Sequence, residues 1–197
     1  MKIWICRHGE TDLNKQHRIQ GILDIPLNEE GLRQAISMRE RLGDMRFDAV
    51  YSSPLERARK TACAIGGVTE EELIIDPRII EVDFGVYDGL SYLPGPPEID
   101  FFWLLPWFFS APDTVETTSS MKARAASFIK DLETKDYENV LISSHGGIIR
   151  ALSGYLENRP SKLRWYPKPL NCEIRVYELK NGKYKKINDL KTHKPER

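Results

Sequence analysis

Short apolar runs alternate with helix signals along this chain, and that alternation constrains its fold more than any other feature. Lys2–Cys6, Asp48–Ser52 and Asn139–Ser143 are too brief for helices and carry β-prone residues, so they read as strands, with a shorter one over Leu73–Asp76. Asn28 reads as the N-cap of a helix running to about Gly43, with Leu32, Ala35, Ile36 and Leu42 as its apolar face. Ser53-Pro54 pairs an N-cap with proline at the first helical position, starting a helix through Ala58, Ala62 and Ile65. Asp113 with Glu116 three residues on resembles a capping box that opens a long helix to about Thr134, and Ile148–Leu156 reads as a further helix. Strands separated by helices imply a layered α/β domain with a largely parallel sheet. Cys172–Leu179 and Lys183–Asn188, flanking Asn181-Gly182, read as a terminal hairpin that adds antiparallel character at one edge.

Two segments interrupt the alternation. Residues 14–27 form a polar loop with Gly21 and Pro26, and residues 90–112 are rich in proline and aromatics yet hold no Lys or Arg. The 197 residues suffice for one domain, 1–197, with the aromatic segment inserted as a small cap. Lys plus Arg number 29 and so do Asp plus Glu, which leaves no overall basic field for nucleic acid. The Lys-rich end, Lys180–Arg197, reads as a solvated edge and tail. No apolar stretch is long enough to span a bilayer, and the first residues lack a signal peptide's pattern, which predicts a cytoplasmic protein without a membrane partner. Cys6, Cys63 and Cys172 lie far apart with no CxxC pair, which fits a reducing compartment and argues against a zinc site.

Four elements can carry chemistry. Arg7-His8-Gly9 follows the first strand directly, where ligands bind in open α/β sheets, and a histidine beside arginine and glycine suits an anion. Ser143-Ser144-His145-Gly146-Gly147 likewise follows a strand and opens a helix, whose N-terminal N–H groups favour an oxyanion. If the two strands are neighbours, His8 and His145 meet. A two-His metal site would need a further ligand at suitable spacing, and neither HExxH nor HxH is present. Arg57, in the first turn of the helix after the second strand, can reach the same rim, whereas Arg59 and Lys60 point toward solvent. Glu81, in Glu81-Val82-Asp83-Phe84-Gly85, places a carboxyl group near the anion, where it can carry the proton that a leaving alkoxide needs.

Arg7-His8-Gly9-Glu10-Thr11, Ser53-Pro54-Leu55-x-Arg57-Ala58, Glu81-x-x-Phe84-Gly85-x-x-x-Gly89 and Ser144-His145-Gly146-Gly147 resemble, in that order, the motifs of the histidine phosphatase superfamily, the phosphoglycerate mutase-like proteins. The resemblance runs from residue 3 to about 178 and includes Asn14, Gln20-Gly21 and Asp24-x-Pro26-Leu27-Asn28-x-x-Gly31. It implies a three-layer α/β/α sandwich and a reaction without cofactor or metal. His8 would attack phosphorus to give a phosphohistidine, its other ring nitrogen donating to a backbone carbonyl. Arg7, Arg57 and His145 would stabilise the transferring phosphoryl group, with Asn14, Gln20, Gly21 and the Gly146 N–H as further binding groups. Glu81 would protonate the leaving alkoxide and then activate water. Glu10 reads as support for the loop rather than chemistry.

The same family contains mutases that return the phosphoryl group to the substrate beneath a water-excluding cap. Those are longer, and a cap for phosphoglycerate should present cations that residues 90–112 lack. The sequence therefore favours a phosphomonoester hydrolase acting on a small organic phosphate, with a phosphoglycerate mutase-type transfer or a protein phosphatase or docking role as alternatives. Trp103, Trp107, Phe108 and Phe109 could line the mouth and favour an apolar or aromatic body; the alternatives are that they pack the cap on the domain or form a homodimer contact. Among the family's small phosphatases are those acting on α-ribazole phosphate. Here Pro112-Asp113-Thr114-Val115-Glu116-Thr117 stands in place of their usual Gly-Gly-Glu-Ser, so Glu116 is kept and the glycines are lost.

Overall fold

The computed structural model describes residues 1–92, 94–105, 108–158, 169–180 and 182–192. Six strands form one sheet in the order β3-β2-β4-β1-β5-β6, namely β1 (Lys2–Arg7), β2 (Ala49–Ser52), β3 (Ile74–Ile75), β4 (Asn139–Ser144), β5 (Ile174–Lys180) and β6 (Lys183–Leu190). The first four in that order pair in parallel, and the terminal hairpin joins β1 antiparallel. The central strands β1 and β4 are buried on both faces, which explains their unbroken apolar runs. Alternate residues divide between two cores. Ile3, Ile5, Val140 and Ile142 face one side, while Trp4, Cys6, Val50 and Leu141 face the other.

On the Trp4 side lie α2 (Glu29–Leu42) and α3 (Glu56–Gly66), and on the Ile5 side lie α5 (Thr118–Glu133) and α6 (Gly146–Leu156). The result is the three-layer sandwich. Helix α5 seats Met121, Ala125, Phe128, Ile129 and Leu132 in the core, the spacing of one helical face. Edge strand β6 is largely exposed and carries Lys183, Lys185 and Lys186, a charge pattern that discourages a further strand from pairing there.

Several local expectations shift. Asn28 caps α2 by accepting from the Gly31 N–H at 2.8 Å, but the buried face is Gly31, Ala35 and Met38; Leu32 and Ile36 are each 47% exposed. Ala35 and Met38 take the places packed with Trp4 and Cys6, and the face of the helix that carries Leu32 and Ile36 is left toward solvent. Ser53 does not cap α3, whose N-cap is Leu55; the Glu56 N–H instead donates to the Asp24 carboxylate at 2.8 Å. Ser53 is occupied at the site described below. The capping box at Asp113 does not form, because Glu116 pairs with Arg124, and Thr117 caps α5 four residues later than expected. A short helix α1 (Asp12–Lys15) breaks the expected loop, and α4 (Pro97–Leu104) lies within the aromatic segment. Asn181 of the predicted hairpin turn falls outside the described residues; Gly182 there has φ +70.

Candidate active site

Strands β1 and β4 are neighbours with Arg7 opposite Ser144, so the turns that leave them lie side by side. The His8 N–H donates to the Ser144 carbonyl at 2.9 Å, and the His8 and His145 rings sit 5.1 Å apart, tilted by 55°. His8 Nδ1 lies 2.7 Å from the Gly9 carbonyl. A carbonyl can only accept, so Nδ1 carries the proton and the lone pair of the neutral ring is on Nε2.

His145 is fully buried, with Nε2 at 2.7 Å from the Ser53 hydroxyl. That hydroxyl oxygen also accepts from the Leu55 N–H at 3.3 Å; in the tautomer in which it donates its own proton to Nε2, the ring proton stands on Nδ1. Among the described residues Nδ1 is a buried donor with no partner. Burial foremost, and then the charges of Arg57, His8 and Arg7, hold His145 well below the ordinary histidine range. It is therefore neutral at pH 7, a dipole rather than a charge.

Two arginines flank the pair. Arg7, at the end of β1, donates from one terminal nitrogen to the Pro169 carbonyl at 2.7 Å. Arg57, in the first turn of α3, is completely buried and donates to the Leu23 and Gly21 carbonyls at 2.7 and 2.6 Å. Burial pulls both guanidinium groups down, Arg57 to about 10, so both stay charged at neutral pH. In each, Nε is buried without a partner among the described residues. Arg59 and Lys60, one turn on, instead pair with Glu70 at the surface.

Glu81 is tied to the start of α6. Its Oε1 accepts from the Val82, Gly147 and Ile148 N–H groups at 2.9, 3.0 and 3.2 Å, and Oε2 from Gly147 at 3.0 Å. A Cβ at Gly147 would stand 2.6 Å from both Glu81 Oε1 and Val82 Cγ2, so any side chain there would push the carboxylate out of this seat. Gln20 Oε1 accepts from the Thr11 hydroxyl at 2.6 Å and from Asn14 at 3.4 Å, while Nε2 is another buried donor with no partner among the described residues. Glu10 sits outside this ring and accepts from Asn28 Nδ2 at 3.0 Å, buttressing the loop.

These groups surround a cavity of about 110 Å³. Arg7, His8, Asn14, Gln20, Glu81 and Gly146 line it, and Arg57, His145 and Gly21 are not among its lining residues. The Gly21 N–H is turned away onto Asp88 at 2.5 Å. Ile19, Phe84, Tyr92, Arg18 and Arg150, which local sequence patterns did not place at the site, share the lining with Gly147 and Trp103. Arg150 lies one helical turn after Gly146 and donates to its carbonyl at 2.5 Å, so helical spacing was a usable signal; Tyr92 and Arg18 offered none. Asn171, also overlooked, joins the far side by donating to the His8 carbonyl and to Asn14 Oδ1 at 3.0 and 3.1 Å. Of the aromatic residues expected at the mouth, Trp103 lines it, with Phe84 and Tyr92 edge-on at 5.8 and 6.1 Å. Phe108 and Phe109 face away and are exposed, and Trp107 falls outside the described residues. Ile99 and Phe102 do pack α4 onto the core. Among the described residues no three His, Cys, Asp or Glu side chains gather as a metal site, and no helix is long and apolar enough to cross a membrane.

A mainly parallel sheet that gathers two histidines, two buried arginines and several buried N–H donors at its strand ends defines an α/β enzyme that handles an oxyanion. The chain belongs to the histidine phosphatase superfamily (branch 1), whose profile matches residues 3–190. It is 34% identical over 190 residues to the metal-independent phosphoserine phosphatase of Arabidopsis thaliana, covering 93% of this chain and 78% of that protein. It is 29% identical to the adenosylcobalamin/alpha-ribazole phosphatase of Escherichia coli, over 84% of each. The crystal structure of a phosphoserine phosphatase mutant from Entamoeba histolytica with phosphoserine superposes with a TM-score of 0.81 at 26% identity, over 95% of both chains. The protein is thus a phosphoric monoester hydrolase of the phosphohistidine type.

Proposed function

We propose that the chain hydrolyses a small phosphomonoester with an apolar or aromatic body, using His8 Nε2 as the nucleophile. One observation carries this reading: Nδ1 of His8 is committed to the Gly9 carbonyl, while Arg7 Nε, Arg57 Nε, His145 Nδ1 and Gln20 Nε2 are buried donors with no partner among the described residues. Buried donors are costly unless something accepts from them, and a phosphoryl group offers three oxygens.

His8 Nε2 attacks phosphorus in line as the P–O bond to the leaving group breaks. Charge on the equatorial oxygens is met by the two guanidinium groups and by the neutral His145, which donates without repelling them. Glu81 Oε2, the oxygen with the fewer backbone bonds, hands its proton to the leaving alkoxide. Water then attacks the phosphohistidine, Glu81 takes its proton, and inorganic phosphate departs. Gly146 and Asn14 complete the oxyanion's surroundings. No step needs a metal or cofactor, and the cysteine pattern fits a cytoplasmic setting.

Ile19, Phe84, Tyr92 and Trp103 supply the apolar wall for the substrate body. A second reading is favoured by Arg18 and Arg150 at the same cavity: a phosphorylated hydroxy acid whose carboxylate meets those cations, as phosphoserine would. Turnover of p-nitrophenyl phosphate, of phosphoserine and of a phosphopeptide separates the readings. An aryl phosphate should win by kcat/KM; phosphopeptide preference, or activity lost to EDTA and restored by a divalent metal, would overturn the proposal.

A further inference from the structure

Asp88 touches neither the cavity nor the donors around it, yet it grips the same turn that Arg57 grips. Its Oδ1 accepts from the Gly21 N–H at 2.5 Å and its Oδ2 from the Leu23 N–H at 3.4 Å. From the other side, the two terminal nitrogens of Arg57 donate to the carbonyls of those same two residues. One turn of backbone is thus held between an anion on its N–H side and a cation on its carbonyl side. The four bonds fall on four different peptide groups, so what the two grips share is the position of the turn between them.

The turn packs closely at Gly21. A Cβ on Gly21 would stand 2.4 Å from the Val82 carbonyl and 2.9 Å from Asp88 Oδ1. The turn also carries Gln20, whose Nε2 is one of the buried donors, and Asp24, whose carboxylate caps α3 one residue before Arg57. A shift of this turn therefore moves two phosphate donors and the helix end that bears one of them.

We propose that Asp88 is a positioning residue for phosphoryl transfer: by fixing the Gly21–Leu23 turn it sets the guanidinium of Arg57 and the amide of Gln20 around the phosphate. This rests on the reading that phosphate binds at His8. Because an angstrom of misplacement in such a cradle is costly, Asp88→Ala should lower kcat/KM for p-nitrophenyl phosphate roughly 10- to 100-fold. It should raise the inhibition constant of inorganic phosphate by a similar factor. In an Arg57→Ala background the same change should cost several-fold less, since one of the two groups it positions is gone and only Gln20 remains. Asp88→Asn, whose amide oxygen still accepts one N–H, should recover part of the loss and serves if the alanine variant folds poorly. Equal losses in both backgrounds, or no change in phosphate inhibition with either Asp88 variant, would overturn the proposal. Wild-type turnover and its loss in His8→Ala report separately on the phosphatase reading.

Discussion

His145 and Phe108 stand at opposite extremes of this molecule. The first is fully buried, bonded to Ser53 and surrounded by two arginines; the second is 81% exposed on the cap. The contrast extends to their neighbourhoods. At the strand-end rim, geometry comes from the sheet register and the start of α6, and His8, His145, Arg7, Arg57 and Glu81 are all buried and hydrogen-bonded. In the cap, α4 is anchored by Ile99 and Phe102, while Phe101, Leu104 and Leu105 remain exposed and Phe101 stacks on Phe109 at 5.1 Å. The lesson is a division of labour. Chemistry needs groups whose positions are over-determined, whereas recognition of a substrate body needs only an apolar wall that can be varied.

If that division holds, the largest effect belongs to the rim. His8→Ala should reduce hydrolysis of any phosphomonoester by at least about 10⁴-fold with an unchanged circular dichroism spectrum. Glu81→Gln comes next, and its cost depends on the leaving group: roughly 10²- to 10⁴-fold with alkyl phosphates and much less with p-nitrophenyl phosphate, whose phenolate needs little proton assistance. Equal losses for both substrates would remove Glu81 from the acid role.

Stability against pH tests the burial of His145. Its folded pKa is depressed, so below the ordinary value near ~6.5 the unfolded chain binds a proton that the folded protein refuses. Stability should therefore fall as pH drops below about 6.5, by up to about 1.4 kcal/mol per pH unit from this group, and be unaffected by it above. Urea midpoints for wild type and His145→Gln should differ in that slope; parallel profiles would contradict it.

The smallest effects belong to the cap. Trp103→Ala should raise KM for aryl phosphates about 10-fold while leaving kcat within a factor of about three, and Phe108→Ala should alter neither. A kcat loss from Phe108→Ala would break the division between rim and cap.

Much of this was legible along the chain. The strands, the order of the helices and the strand-end location of His8 and His145 followed from local patterns, because a parallel strand buried on both faces has to be apolar throughout. What local patterns misjudged were interactions decided by remote partners. Ser53 looks like a cap but is bound to His145, 92 positions away, and Asp24 from a distant loop caps α3 instead. Leu32 and Ile36 fit an apolar stripe, yet the space beside β1 takes Ala35 and Met38.

The sequence by itself determined the chemical inventory: which imidazoles, guanidinium groups and carboxylate exist, and that His8, Arg57 and His145 follow strands. Only the tertiary structure decided how they act. The pairing of β1 with β4 brings the two histidine rings to 5.1 Å at a 55° tilt, the Gly9 carbonyl fixes the tautomer of His8, and burial keeps His145 neutral between two arginines. Tautomer, protonation and orientation depend on distances between residues remote in sequence, and short-range patterns carry no information about those distances.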